Sequence, residues 1–338
     1  MAASSPPQIQ FVEKNPPGNS ASSLVLKHAD QIKGKVILTT GISPGGLGFF
    51  FLQAVVKAQP RILILAGRST SKSEAAARLL RAESSAVEIR ILELDLSSLA
   101  AVRTAAATVN GWHDIPNIDI LVNNAGVMAV DYSITVDGYE SQFAANHLGH
   151  FLLTNLIMDK ILASKAPRIV AVSSDGHRLS PIRFEDYNFH NGDVYNRWKA
   201  YGQSKTANML MALSLATKLG AKRNLLAFSL HPGIVMTNLG SHLNLSIDFD
   251  SCLEVDRDCG YSCGWKTTFE YFTPDEGAAT HIYAAFDQDI AAHNGSYLTD
   301  CQIGDPLTGA VHVWATSHVE AERLWKLSEK LVGQEFNY

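Results

Sequence analysis

Tyr201 and Lys205 stand four residues apart in a helix-periodic stretch, so both side chains fall on one helical face, one turn apart. A phenol ordinarily titrates near pH ~10, too high to exchange protons easily at neutrality. A neighbouring ammonium favours the phenolate and lowers that pKa, which makes the pair an acid/base unit. Such a pair is common by chance, so its company decides the reading. Asn123-Asn124-Ala125-Gly126 and Ser173-Ser174 each close an apolar run, and Asn146 lies in an intervening helical stretch. Pro232-Gly233-Ile234-Val235-Met236-Thr237 follows a further apolar run.

A second group of residues points to a nucleotide. The run Thr40-Gly41-Ile42-Ser43-Pro44-Gly45-Gly46-Leu47-Gly48 follows the first apolar strand and opens an apolar helix. Glycines there permit positive φ and close approach of backbone amides to a diphosphate. A dinucleotide site usually carries an acid about 20 positions further on to hold the ribose 2′-OH. This chain instead reads Ala66-Gly67-Arg68-Ser69-Thr70-Ser71-Lys72. Arg68 supplies a planar donor fork suited to a 2′-phosphate, with Ser69 and Lys72 in support, which predicts NADP(H) over NAD(H).

These residues must be positioned by elements, and the pattern of the chain supplies them. Strand-like runs at 36–40, 62–66, 87–94, 118–123, 169–173 and 225–230 are nearly continuous in apolar residues, as strands buried on both faces should be. Helix-periodic stretches at 47–58, 72–84, 98–110, 139–163 and 199–219 separate them, with a last helix pair at 275–290 and 317–332 and a short strand at Tyr297. That alternation predicts an α/β fold: one doubly wound (Rossmann) domain with a mostly parallel sheet. Residues 1–32 read as a flexible N-terminal tail and 33–338 as the domain, with a long irregular insertion at 238–274 on the substrate side. Strand C-termini line the ligand crevice of such a sheet, so Asn146, Ser174, Tyr201 and Lys205 can converge there.

With these motifs in order, the chain resembles the short-chain dehydrogenase/reductase family in its NADP-dependent, retinol-dehydrogenase-like branch. The matching elements are the glycine turn, Asp95-Leu96, the Asn-Asn-Ala-Gly run, Asn146 in Asn-His-Leu-Gly-His-Phe, Ser174, Tyr201-x-x-x-Lys205, Pro-Gly-x-x-x-Thr and the C-terminal Glu-Arg-Leu-Trp run at 322–325. The resemblance implies that Tyr201 is the acid/base and that Ser174 bonds the reacting oxygen. It further implies that Lys205 grips the nicotinamide ribose and that Asn146 keeps a water and proton path to Lys205. Gly41, Ser43, Gly46, Leu47 and Gly48 would hold the diphosphate. Asp95 and Leu96 would hold the adenine, while Asn123, Ala125 and Gly126 pack on its ribose. Pro232, Gly233, Val235 and Thr237 would orient the carboxamide. His147, His150 and His177 read as structural.

One departure from the family pattern is an extra residue in the glycine turn, with Pro44 offering no N–H. Either Gly45 and Gly46 re-form the cradle, with the Ser43 hydroxyl as a donor, or diphosphate binding weakens. Aromatic residues at 184, 187, 189, 195 and 198, and Leu243, Leu245, Phe249, Tyr261, Trp265, Phe269 and Tyr271 in the insertion, line a large apolar pocket or simply pack these segments down. The expected activity is hydride transfer between NADP(H) and a small hydrophobic ketone, aldehyde or alcohol. Cyclisation or isomerisation with NADPH on the same fold, and a non-catalytic NADP sensor, are the alternatives.

Composition bounds the partners. The 338 residues carry 28 Lys+Arg against 33 Asp+Glu, a net charge of −5 with no basic run, which argues against a nucleic-acid partner. No apolar stretch reaches transmembrane length and no signal-peptide pattern opens the chain, so a cytoplasmic location is the expectation. Cys252, Cys259 and Cys263 near His242 lack zinc-knuckle spacing and predict no metal site. The apolar helix over 148–162 is a candidate homodimer seam, or equally a buried helix.

Overall fold

The computed structural model describes residues 10–13, 19–259, 268–308 and 311–338. Its strands are β1 (Gln10–Glu13), β2 (Val36–Thr40), β3 (Ile62–Gly67), β4 (Glu88–Glu93), β5 (Ile120–Asn123), β6 (Arg168–Val172), β7 (Leu226–His231), β8 (Ile234–Val235), β9 (Thr268–Phe272), β10 (Tyr297–Thr299) and β11 (Gln302–Ile303). Eight of them form one sheet in the order β11-β10-β7-β6-β5-β2-β3-β4. All its pairings are parallel except β10 with β11. From β2 the chain winds outward through β3 to β4, then returns to β5 and winds the other way, which makes the sheet doubly wound.

The continuous apolar strands are explained by two cores, one on each face. Along β2 and β3, Val36, Leu38, Ile62 and Ile64 face one core while Ile37, Leu63 and Leu65 face the other. The first core is covered by helices Leu99–Gly111, Gly149–Leu156, Arg197–Arg223 and His318–Val332, and the second by Leu47–Val55, Thr70–Glu83 and Ala279–Phe286. Each side chain buried completely, such as Phe51 or Phe151, contributes roughly 1.5–3 kcal/mol of transfer free energy. The apolar 148–162 stretch is satisfied within the chain. Phe151 meets Trp325 edge-on at 4.9 Å and Phe336 at 5.7 Å, so its face is covered by the C-terminal segment rather than offered as a dimer seam.

Three expectations need correction. Within the segment read as a mobile tail, Ala21–Lys27 and Ala29–Ile32 are helical, with Ala21, Leu24, Val25 and Ile32 buried in the second core. Ser22 N–H and Oγ both donate to Asp275 at 3.0 Å, pinning that helix to the domain. The insertion is not irregular either. It contains a helix, Leu245–Asp258, and β9, which joins β1 and β8 in a second, all-parallel sheet of order β1-β9-β8. The predicted helix over 139–163 is broken by a π-turn at Ala144–Leu148, which contains Asn146. No described helix is long and apolar enough to cross a membrane.

Candidate active site

The winding order of the strands reverses between β2 and β5, and the carboxyl ends of β2, β5, β6 and β7 open into one cavity of about 1370 Å³. That exceeds the roughly 300–1000 Å³ of a single drug-sized site. Its wall runs from Gly41, Ser43, Gly46 and Leu47, past Ala125 and Gly126, to Ser174, Tyr201 and Lys205, and then along Pro232–Thr237.

Helix Arg197–Arg223 places the acid/base pair. Its N-cap Asn196 accepts the N–H groups of Trp198 and Lys199, both at 3.0 Å, which starts the helix one turn before Tyr201. Lys205 Nζ donates to the Val172 carbonyl at 3.1 Å and sits 5.6 Å from the Tyr201 ring centre. Ser174 ends the β6 connection and accepts the Gly176 N–H at 3.0 Å. Its hydroxyl and the Tyr201 ring both border Gly176, which sets the two side chains next to each other. Ser173 turns the other way, donating to the Lys205 carbonyl at 2.8 Å, so it is a strand-end residue. A Cβ on Gly176 would come within 2.6 Å of the Tyr201 ring, which shows how tightly the loop after Ser174 is laid against it.

The electrostatics differ from the expectation drawn from spacing. Burial pushes the Tyr201 phenol up to about 12; the neighbouring Ser174 hydroxyl opposes that rise, and Cys252 and Asp175 add to it. Burial pushes the Lys205 ammonium down to about 8. In the protein alone, desolvation outweighs the influence of Lys205 on Tyr201, and the phenol is held protonated at neutral pH.

The glycine turn answers the question posed by its extra residue. Gly46 N–H donates to the Ser43 carbonyl at 3.0 Å, with Pro44 and Gly45 between them and Gly45 at φ +82°. Proline at the second position and a positive φ at the third are the signature of a type II turn, so the insertion is absorbed as a Pro-Gly turn. Helix Leu47–Val55 starts directly after it with no side-chain cap, leaving its first N–H groups to a ligand. A Cβ on Gly41 would lie 2.6 Å from Ala125 Cα, and one on Gly48 would lie 2.5 Å from Asn124 Nδ2. Only glycine lets the two loops approach this closely. Likewise, a Cβ on Gly126 would meet Asn146 Oδ1 at 3.1 Å and Lys205 Nζ at 3.3 Å.

Asn146 is held from several sides. Its Oδ1 accepts from Val127 N–H at 2.8 Å, and its Nδ2 donates to the Val127 carbonyl and Ser204 Oγ, both at 2.9 Å. Its own carbonyl accepts from His150 Nδ1 at 3.0 Å. The other imidazole nitrogen lies 2.8 Å from Thr40 Oγ1, which already accepts the N–H groups of Asn124 and Ala125. With both lone pairs used, the Thr40 hydroxyl donates to Nε2, so the His150 proton sits on Nδ1. Burial holds His150 down to about 4, hence neutral. His147 and His177 are also buried and held neutral by desolvation, to about 3 and 4. Thr40, Asn124 and His150 thus tie the glycine turn to the Asn146 helix, a role not read from sequence. The strong polar character of a Thr and a His on buried faces was the available signal.

Other predicted residues fall into place differently. Asn123 is buried, and its Nδ2 donates to Thr154 at 2.9 Å, away from the cavity. The next residue, Asn124, faces the glycine turn and donates to the Thr40 and Gly41 carbonyls at 2.9 and 3.0 Å. Alternation along a strand explains the exchange. Arg68 and Lys72 are exposed at the end of β3, with no acidic partner among the described residues, and Ser69 caps helix Thr70–Glu83. Asp95 Oδ1 accepts Ser97 N–H and Oγ–H at 3.0 and 2.6 Å, and the Leu96 backbone lies against Gly149. Arg68, Ser69, Lys72, Asp95 and Leu96 sit at the strand ends beyond the cavity's wall. Gly233 (φ +84°) packs under Phe272, Val235 lies against Gly277, and Thr237 caps the short turn Asn238–Gly240.

On the substrate side, most of the aromatic residues prove to be packing. Tyr187 stacks on Phe143, Phe189 is fully buried against Tyr195, and Phe184 lies under Arg323. Trp198 does line the cavity, with Met128, Leu179, Leu239 and Leu243. The insertion helix backs this wall: Arg197 pairs with Asp248, and Trp198 Nε1 donates to the Asp248 carbonyl at 3.0 Å. Tyr271 is half-buried on β9. Tyr261, Trp265 and Cys263 lie outside the described residues, as do the side chains of Leu245, Phe249 and Phe269. Cys252 is buried beside Tyr201, and His242 Nε2 donates to the Met128 carbonyl at 2.9 Å.

Comparisons with known proteins agree with this geometry. The sequence profile of the short chain dehydrogenase family matches residues 35–188. Retinol dehydrogenase 14 of Mus musculus is 36% identical over 310 residues, covering 89% of this chain and 86% of that protein. Short-chain dehydrogenase/reductase prx1 of Penicillium roqueforti is 36% identical over 339 residues, covering 96% and 94%. Among solved structures, an uncharacterized protein from Mycobacterium paratuberculosis superposes with a TM-score of 0.70 at 32% identity, covering 95% of this chain and all of that one. A short chain dehydrogenase from Shigella flexneri complexed with NADP shares the fold at 19% identity and a TM-score of 0.58, covering 81% and 100%. The chain is therefore an oxidoreductase of the short-chain dehydrogenase/reductase family, in its retinol-dehydrogenase-like branch.

Proposed function

We propose that the protein is an NADP(H)-dependent reductase of hydrophobic ketones or aldehydes, or the corresponding alcohol dehydrogenase, with Tyr201 as acid/base. The observation that carries this reading is the convergence of Ser174, Tyr201 and Lys205 at the inner end of one large cavity that begins at a glycine turn. A dinucleotide fits the residues present. Close-packed glycines and an uncapped helix start suit a diphosphate, Gly126 leaves room beside Lys205 for a ribose, and the Pro232–Thr237 backbone flanks the carboxamide end. Arg68, Ser69 and Lys72 would hold a 2′-phosphate, and Asp95 and Leu96 the adenine.

When bound, the nicotinamide supplies the hydride chemistry. The protein does the rest. Ser174 Oγ, already accepting from Gly176, keeps its proton to donate to the reacting oxygen as charge develops there. Tyr201, held protonated by burial, gives its proton to that oxygen. Lys205, fixed by the Val172 carbonyl, stabilises the phenolate that forms, and Asn146 keeps the path by which the proton is replaced. Met128, Leu179, Trp198, Leu239 and Leu243 exclude water and accept an apolar substrate.

The reading is tested by adding NADPH or NADH and following the melting temperature, then screening hydrophobic carbonyl compounds for NADPH oxidation. A larger stabilisation by NADPH and turnover of at least one carbonyl class are expected. Equal response to both cofactors would remove the NADP assignment, and stabilisation without turnover would favour a sensor.

A further inference from the structure

Beside Ser174 the cavity contains a polar pair that the reduction of a carbonyl does not use. Asp175 follows Ser174 directly, lines the same cavity and leaves 45% of its side chain exposed to it. One oxygen, Oδ1, accepts the hydroxyl of Tyr297, a residue of β10 buried behind it, at 3.1 Å. The other, Oδ2, lies 3.7 Å from His231 Nε2 at the end of β7, too far for a hydrogen bond. His231 also lines the cavity, and its Nδ1 has no hydrogen-bond partner among the described residues. A carboxylate facing an apolar chamber is costly unless its oxygens are satisfied. The pocket thus presents an acceptor and an imidazole held slightly apart, one residue from the serine that meets the reacting oxygen.

We propose that Asp175 and His231 form a subsite for a neutral hydroxyl on the substrate, close to its carbonyl carbon. The hydroxyl would donate to Asp175 Oδ2 and accept from His231 Nε2–H, bridging the two from the cavity side. A hydroxyl suits the site better than an ammonium because it can donate to the carboxylate and accept from the imidazole at once, whereas an ammonium only donates, and Tyr297 fixes the carboxylate's orientation. The substrate class this selects is a hydroxyketone with an apolar body, or the matching diol in oxidation. The inference rests on the carbonyl-reductase reading for the placement of the carbonyl at Ser174 and Tyr201.

The test compares 2-hydroxyacetophenone with acetophenone, measuring binding by calorimetry in the presence of NADP and NADPH oxidation in parallel. The wild-type protein should bind the hydroxyketone at least about fivefold more tightly, and Asp175→Asn should bring the ratio to about one while acetophenone binding stays within about twofold. A ratio near one in the wild type, or a preference that survives Asp175→Asn, overturns the subsite. The wild-type comparison stands even if the variant folds poorly. Hydroxyl preference in binding without NADPH oxidation of either ketone would uphold the subsite and overturn the redox reading.

Discussion

Gly41→Ala isolates how much of the cofactor site depends on close backbone approach. Two costs add at this position. At φ +73° a Cβ costs about 1–2 kcal/mol against its own backbone. The new Cβ would also lie 2.6 Å from Ala125 Cα, whereas ordinary contact begins at 3.4 Å, so the loops must part by about 0.8 Å. The obstacle is backbone rather than a flexible side chain, and overpacking of that kind costs about 1–3 kcal/mol. Gly34 provides the control, because it has nearly the same φ, +74°, with nothing within 4 Å of its Cβ. Gly34→Ala should therefore cost only the backbone part and leave NADPH affinity within about twofold. Gly41→Ala should cost about 2–5 kcal/mol in all. If about 2 kcal/mol falls on the binding-competent loop arrangement, NADPH affinity drops about 30-fold. Urea unfolding and NADPH fluorescence titration measure the two parts separately. Equal losses of stability in the two variants, with NADPH affinity intact in Gly41→Ala, would refute the claim that the loops must touch here.

Three further outcomes follow from named contacts. Arg68→Ala should lower kcat/KM for NADPH by at least about tenfold and leave that for NADH within about twofold, measured at matched ionic strength. Lys205 has a folded pKa of about 8, below the usual lysine value, so between pH 8 and ~10.5 the unfolded chain binds more protons and this group's contribution to stability rises with pH. Lys205→Met should thus be inactive yet at least as heat-stable as the wild type at pH 7, with the wild type gaining on it by pH 10; a clearly less stable variant at pH 7 would count against a costly buried ammonium. Asp248→Asn should loosen the insertion helix from Arg197 and Trp198, raising KM for apolar carbonyls several-fold while NADPH affinity stays within about twofold in direct titration.

The central strands were legible because each of β2, β3, β5, β6 and β7 is buried on both faces and so reads as an unbroken apolar run between glycine or proline punctuation. The N-terminal helix was hidden by a segment rich in serine and alanine whose anchor, Asp275, is 253 residues away. The second sheet was hidden for the same reason, since β1 pairs with β9 across more than 250 residues and neither strand is long. Helix Leu245–Asp258 buries Asp248 and Asp256 on the same face as Cys252 and Val255, so no clean amphipathic period announced it in the sequence. At the site, residue types announced Ser174, Tyr201 and Lys205. Which of Asn123 and Asn124 faces the turn depended on strand register, and the raised Tyr201 pKa depended on burial. Neither is visible in spacing alone.

The central claim is that Tyr201 supplies the proton while the rest of the site holds cofactor and carbonyl. Single-turnover reduction of a bound hydrophobic ketone by NADPH, followed by stopped-flow in wild type and Tyr201→Phe, tests it most directly. NADPH binding should stay within about threefold of wild type, and the transfer rate should fall by at least about 10²-fold, the lower end of what a positioned general acid contributes. Transfer within tenfold of the wild-type rate in Tyr201→Phe would contradict it.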